Sequence, residues 1–389
     1  MVSPRTARDA ALACAVALAV ALGVGRFAFT PLLPLMLASG ALDIRHGGWL
    51  ASANYAGYLI GAMSCAAIRV DHARMVRFGL AATVLLTLLM GVANAFWFWA
   101  LIRFVAGVVS AWTFVFASQW GLKRLAELGA HGLSGVIYAG PGVGIVITGL
   151  LGAAAASVHP AYVWIAFAAL SAVAGVFAWR PFDHDVARLP SSSPSAAGRT
   201  GGRSDGAQAA WLIVLYALPG FGYIITATFL PVIARHALPG SPWPDLFWPV
   251  FGVALSVGAL IAARLPHGWD NRLLMAGSYV LQAVGIASGI LFPTTLGFAL
   301  GSVLVGLPFT AITLFAMREA RLLRGERAAG LMGYATAAYG LGQILGPIVA
   351  APIAAHTGSF SPALWIAVAA LVVGSVGLVY VARGQGARA

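Results

Sequence analysis

Two arginines, Arg26 and Arg103, interrupt long apolar runs, and polar and aromatic residues at helical spacing in several of these runs could complete a binding site. A guanidinium matches a carboxylate or phosphate in bidentate geometry. The cost of holding a cation near a bilayer centre, about 2.5–3.5 kcal/mol on insertion scales, means that such residues face a bundle interior or a wet cavity. Thr30 lies one turn beyond Arg26, Asn54 and Tyr58 are four apart, and Thr336, Tyr339 and Gln343 form a stripe. Tyr223 and Thr226 sit in a later apolar run, with Tyr138 and Trp112 as weaker candidates. The polar residues have a competing role in interhelical hydrogen bonds, and each arginine could instead donate to backbone carbonyls at a Gly-rich helix contact.

No carboxylate answers these arginines. All eleven Asp and Glu, and the eight His, fall outside the apolar runs when the chain is cut at its charged breaks. Arg26 lies roughly 17 Å from the end of its segment and Arg103 roughly 10 Å from the same face at 1.5 Å per residue. Two guanidiniums sharing a pocket without a carboxylate would attract a small organic anion. An intramembrane enzyme fails on inventory, because no Asp, His, Cys or Glu constellation occurs at depth. Cys14 and Cys65 lack metal-ligand spacing and read as small core residues. No metal and no cofactor is called for.

The elements that must position these groups follow from composition. With 60% hydrophobic and 9% charged positions among 389 residues, the chain is far below the roughly 25% charged share of soluble domains. Cutting it at its breaks gives twelve segments long enough to span a bilayer, near 10–37, 48–68, 76–94, 97–120, 132–156, 160–179, 211–234, 246–263, 273–291, 294–316, 328–354 and 362–382. The expected fold is all-α and polytopic, a bundle of six helices over residues 1–180, a flexible Ser/Pro/Gly-rich linker over 181–210, and a second bundle over 211–389.

Of the 23 Lys and Arg, all but Arg26, Arg103, Arg45 and Arg235 fall on the face that carries both termini. That bias places the termini in the cytoplasm of a bacterial-type inner membrane. The formal charge of +12 is thus a topology signal directed at the lipid bilayer, and nucleic acid drops out as a partner. The expected assembly is a monomer.

The halves repeat. Gly132, Gly135, Gly142 and Gly144 fall on Gly330, Gly333, Gly340 and Gly342 at an offset of 198; Gly25, Leu33 and Pro34 fall on Gly222, Leu230 and Pro231 at 197; Gly107 falls on Gly306 at 199. At the offset of 197, Tyr223 stands where the first half has Arg26.

Twelve spans, a 6+6 duplication and a cytoplasmic linker together resemble the major facilitator superfamily of secondary transporters. LIRFVAGVVSAW, with Arg103 and Gly107, resembles the superfamily's fourth-helix motif; AGPGVG, with Gly140, Pro141 and Gly144, resembles its fifth-helix motif, associated with antiporters. Of the G-x-x-x-D-R-x-G-R pattern after the second helix, Asp71, Arg74 and Arg77 remain, with Ala67 in place of glycine. GVGRFAFTPLLPLM and YGLGQILGP, the latter ending at Pro347, resemble the YbfB/YjiJ branch. The resemblance implies alternating access, with helices one and four lining a central cavity and the Gly/Pro positions of helices five and eleven permitting close packing and bending. It does not imply a substrate. The anion reading, coupled to protons or to exchange, is set against efflux of neutral or amphipathic compounds and against a sensor that kept the fold.

Overall fold

In the computed structural model, residues 4–183, 203–266, 268–325 and 328–386 are described. They form helices with no strand among them. In chain order these are α1 (two halves, Pro4–Leu18 and Phe29–Ala38), α2 (Ile44–Ser64), α3 (His72–Val92), α4 (Phe96–Glu127), α5 (Ser134–Ala154) and α6 (Pro160–Trp179). The second set comprises α7 (Arg203–Ala237), α8 (Phe247–Ala262), α9 (Asn271–Leu291), α10 (halves Thr295–Gly306 and Phe309–Arg324), α11 (Ala328–Thr357) and α12 (Ser361–Gly386). Twelve spanning helices match the twelve predicted segments. Eleven are apolar enough to cross a membrane by composition. The remaining one, α2, has 21 residues, but Arg45, His46, Ser52, Asn54, Tyr55 and Tyr58 dilute its hydropathy. Ser52, Asn54 and Tyr55 are buried and hydrogen-bond to other helices, whereas Arg45 and His46 near its start are exposed.

Most of the expected linker, residues 184–202, lies outside the described residues. Its last part differs from expectation, since α7 begins at Arg203 and not near residue 211. A second correction concerns Glu319, which the sequence boundaries put in a loop. It lies inside the second half of α10 and is only 5% exposed. Asn271 Nδ2 donates to it at 3.4 Å and Arg272 Nε stands 3.6 Å away. The misplacement has a simple cause: Arg318 and Arg321 beside it made that helix end read as loop.

The duplication is visible in packing. A Cβ on Gly107 of α4 would stand 2.7 Å from the Tyr58 amide nitrogen of α2, and one on Gly306 of α10 would stand 2.6 Å from the Phe251 carbonyl of α8. Likewise Gly144 of α5 meets Gly23 of α1, and Gly342 of α11 meets Ala217 and Phe221 of α7. Gly140 lies against the Ala15 carbonyl. At these points backbones approach too closely for any side chain. The loops repeat too: Asp71 caps α3 by accepting from the Arg74 amide at 2.9 Å, and Asp270 caps α9 by accepting from the Arg272 amide at 2.8 Å. The Arg74 side chain itself is exposed.

Two long seams join the bundles, α2 on α11 and α5 on α8. Gly48 sits against Pro347 and Ala351, Ser52 Oγ donates to the Ile344 carbonyl at 2.9 Å, and the second half of α1 packs on α7. The first half of α1, nearer the termini, packs mainly on α4, α5 and α6 of its own bundle.

Candidate functional site

The break in α1 begins with a proline. Pro31 has no N–H to give the Phe27 carbonyl, its partner in a regular helix. The Thr30 amide takes that carbonyl instead, at 3.1 Å. The Arg26 carbonyl, which Thr30 would otherwise have capped, is left open. Upstream, Ala19–Val24 adopts π-helical turns, with Gly25 N bonding Val20 O at 3.0 Å and Phe27 N bonding Leu22 O at 2.9 Å. Such bulges concentrate at functional sites.

Arg103 fills the gap. Its Nη2 donates to the Arg26 carbonyl at 2.9 Å and its Nη1 to the Gly25 carbonyl at 3.2 Å, while Phe29 lies 5.0 Å from its Cζ. Unsatisfied backbone at membrane depth costs several kcal/mol, so a guanidinium from a neighbouring helix stabilises the break. Its own carbonyl accepts from Asn54 Nδ2 at 2.8 Å. Two predicted site residues are thereby used inside the first bundle, and the expected pair of guanidiniums in one pocket is not what the structure contains.

Arg26 faces the other way. It is 4% exposed, and its Nη2 donates to Gln343 Oε1 at 2.9 Å across the boundary between the bundles. Gln343 in turn donates to the Tyr223 hydroxyl. The residues that the repeat superposes, Arg26 and Tyr223, are thus bridged by one amide. The Tyr58 ring centroid lies 3.9 Å from Arg26 Cζ, with Tyr55 at 5.0 Å and Phe27 at 5.3 Å. Cation–π contact with these rings adds to the hydrogen bond. No ion pair to Arg26 occurs among the described residues, and its Nε has no partner.

On the second bundle Tyr339 stacks between Tyr216, at 4.7 Å, and Tyr223, at 6.0 Å, and Phe309 meets Tyr223 edge-on at 4.9 Å. The site thus joins one cation to an aromatic wall.

Of the other predicted residues, Thr30 Oγ1 donates to the Ala227 carbonyl at 2.8 Å and ties α1 to α7. Thr226 does not join the group: it lines a crevice with Leu230, Gly289 and Phe298 between helices of the second bundle. Trp112 donates to Ser64 Oγ at 2.8 Å, and Tyr138 packs near Phe114 at 6.2 Å. Pro141 lies within α5 and Pro347 within α11. Sequence reasoning missed Tyr55, Tyr216, Phe27 and Phe309. Tyr216 and Tyr223 are seven apart, one face of α7, so their spacing held a readable signal.

A family model described as "Uncharacterised MFS-type transporter YbfB" matches residues 18–379. The chain belongs to this family. It is therefore an integral membrane transporter of the major facilitator superfamily and not an enzyme. Among solved structures, a crystal structure of a mutant nucleoside transporter NupG is similar with a TM-score of 0.77 at 14% identity, covering 95% of this chain and 99% of that one. At that identity the likeness concerns the fold. Among curated proteins no significant relative is found by sequence.

Proposed function

We propose that the protein moves a small organic anion by alternating access, with Arg26 as its primary contact and Tyr58, Tyr223, Tyr339 and Gln343 around it. One observation carries the reading: a buried guanidinium whose hydrogen-bond partner is a neutral amide from the opposite bundle. A cation at such depth normally has an opposite charge nearby. Here the ligand supplies it, exchanging with Gln343 and so coupling occupancy to separation of the bundles. Thr30, Asn54 and Arg103 act as supports of the α1 break and of the seam.

The basic, terminus-bearing face is assigned to the cytoplasm. The looser packing of α1 against the second bundle at that end supports a path from the cytoplasmic side. For coupling, Asp43 is a poor proton carrier: the His46 amide, hydrogen-bonded to it at 2.8 Å, holds its carboxyl below the ordinary range against weak desolvation. Glu319 is held by Arg272 and Asn271. The proton therefore travels on the substrate acid, or one anion is exchanged for another.

Purified protein is screened by thermal shift against acetate, benzoate and phthalate, in wild type, Arg26→Ala and Arg26→Lys. Anion stabilisation lost in the alanine variant supports the reading, since a ligand stabilises the state it binds by mass action. Wild-type responses in Arg26→Ala would overturn it. Uptake into proteoliposomes with and without a pH gradient separates proton co-transport from exchange.

A further inference from the structure

Resting on that reading, we infer the substrate class: a monoanion with a flat aromatic body and no ammonium group. Three observations converge on it. First, charge. Arg103 is committed to two carbonyls, so one guanidinium remains for the ligand. A second negative charge would stay uncompensated at membrane depth, where an unpaired ion is costly.

Second, the absence of an acidic group. Among the described residues no Asp or Glu pairs with Arg26 or stands in its aromatic surroundings. The ring best placed to hold an ammonium, Tyr58, already carries the Arg26 guanidinium at 3.9 Å. A zwitterion would bring a like charge to it.

Third, shape. The second bundle's wall is built from near-parallel rings: Tyr216 and Tyr339 are inclined by 23°, Tyr223 and Tyr339 by 22°. Tyr58 stands on the first bundle's side of Arg26. When the bundles part and the Arg26–Gln343 bond opens, a carboxylate can take the guanidinium while its ring lies on the tyrosine stack, in offset or edge-on contact. Gln343 and the Tyr223 hydroxyl are left as donors to the second carboxylate oxygen. A saturated ring of the same size has the volume without the π face.

The test uses the full-length purified protein and five probes: benzoate, cyclohexanecarboxylate, acetate, phthalate and L-phenylalanine. Dissociation constants are read from ligand-dependent unfolding temperature. The expected result is benzoate binding at least about tenfold tighter than each of the other four, lost in Arg26→Gln, with the preference over cyclohexanecarboxylate falling to near parity in Tyr223→Leu. Unliganded unfolding temperatures of both variants control for misfolding. If anions bind through Arg26 but acetate, cyclohexanecarboxylate, phthalate or L-phenylalanine equals benzoate, the substrate class is wrong and the anion reading stands. If no anion binds, or Arg26→Gln changes nothing, both fall.

Discussion

Arg26 Nη2 and Gln343 Oε1 are joined at 2.9 Å across the boundary of the two bundles, and both side chains are buried. The bond is charge-assisted but has a neutral acceptor, and a carboxylate would offer the guanidinium a stronger, bidentate one. Gln343→Glu would replace that acceptor with a resident anion. The expected outcome is loss of at least about tenfold in affinity for added carboxylates, equivalent to about 1.4 kcal/mol, together with a raised unfolding temperature. Thermal-shift titration measures both; unchanged affinity would show that the ligand does not compete for Arg26.

Arg103 plays a different part, and its removal separates the two arginines. Arg103→Ala strips two charge-assisted hydrogen bonds from the Gly25 and Arg26 carbonyls. At about 1.5–3 kcal/mol each, the variant should lose several kcal/mol of stability. The protein that remains folded should still bind the anion, because Arg26 is intact. Denaturation in detergent, followed by ligand titration of the folded fraction, reads the two effects apart.

Glycines divide by what lies over them. Gly107 faces the α2 backbone, whereas Gly333 has nothing within 4 Å of where its Cβ would stand. Gly107→Ala should cost about 1–3 kcal/mol or more through overpacking, while Gly333→Ala should be neutral or slightly stabilising through helix propensity. Both substitutions add one methyl group to a helical glycine. Comparing their unfolding temperatures therefore isolates the close approach.

Asp270 gives a pH dependence with a defined sign. Burial raises its carboxyl pKa, but the hydrogen bonds from Arg272, side chain and backbone, outweigh this and leave it below the ordinary 3.8. A depressed folded-state pKa contributes stability that is fully present above the unfolded value and lost as pH falls through the folded one. The difference in unfolding temperature between wild type and Asp270→Asn should therefore be flat above about pH 5 and shrink below about pH 4. A difference that grows on acidification would contradict the assignment.

The architecture was legible because bilayer thickness and glycine spacing leave plain marks: twelve apolar runs, and Gly107 repeated as Gly306. The proposed site was legible in part. Arg26, Tyr58, Tyr223, Tyr339 and Gln343 come together, since each interrupts an apolar helix with a polar group on an inward face. Arg103 carried the same mark and a different role, because a sequence shows a cation at depth but not which carbonyls a distant proline has left open. Asn54 and Tyr55 are adjacent, and one faces α4 while the other faces Arg26; helix rotation decides between them. Glu319 was hidden by the arginines on either side of it, Arg318 and Arg321.

The proline also makes the support of Arg26 testable as a coupling. In Pro31→Ala the new amide can donate to the Phe27 carbonyl, releasing the Thr30 amide, now 3.1 Å from Phe27 O, to cap the Arg26 carbonyl. Arg103 would then lose one of its two acceptors to a regular helical bond. The cost of Arg103→Ala should accordingly be smaller in the Pro31→Ala background than in wild type. Contacting residues of one network typically couple by about 0.5–3 kcal/mol, and a value near 1 kcal/mol or above is expected. A double-mutant cycle in unfolding free energy measures it. Straightening α1 should also turn Arg26 away from Gln343, so anion affinity should drop in Pro31→Ala although Arg26 is present. Additive stabilities with unchanged affinity would mean that the break in α1 arises from packing on α5 and α7, and not from the proline.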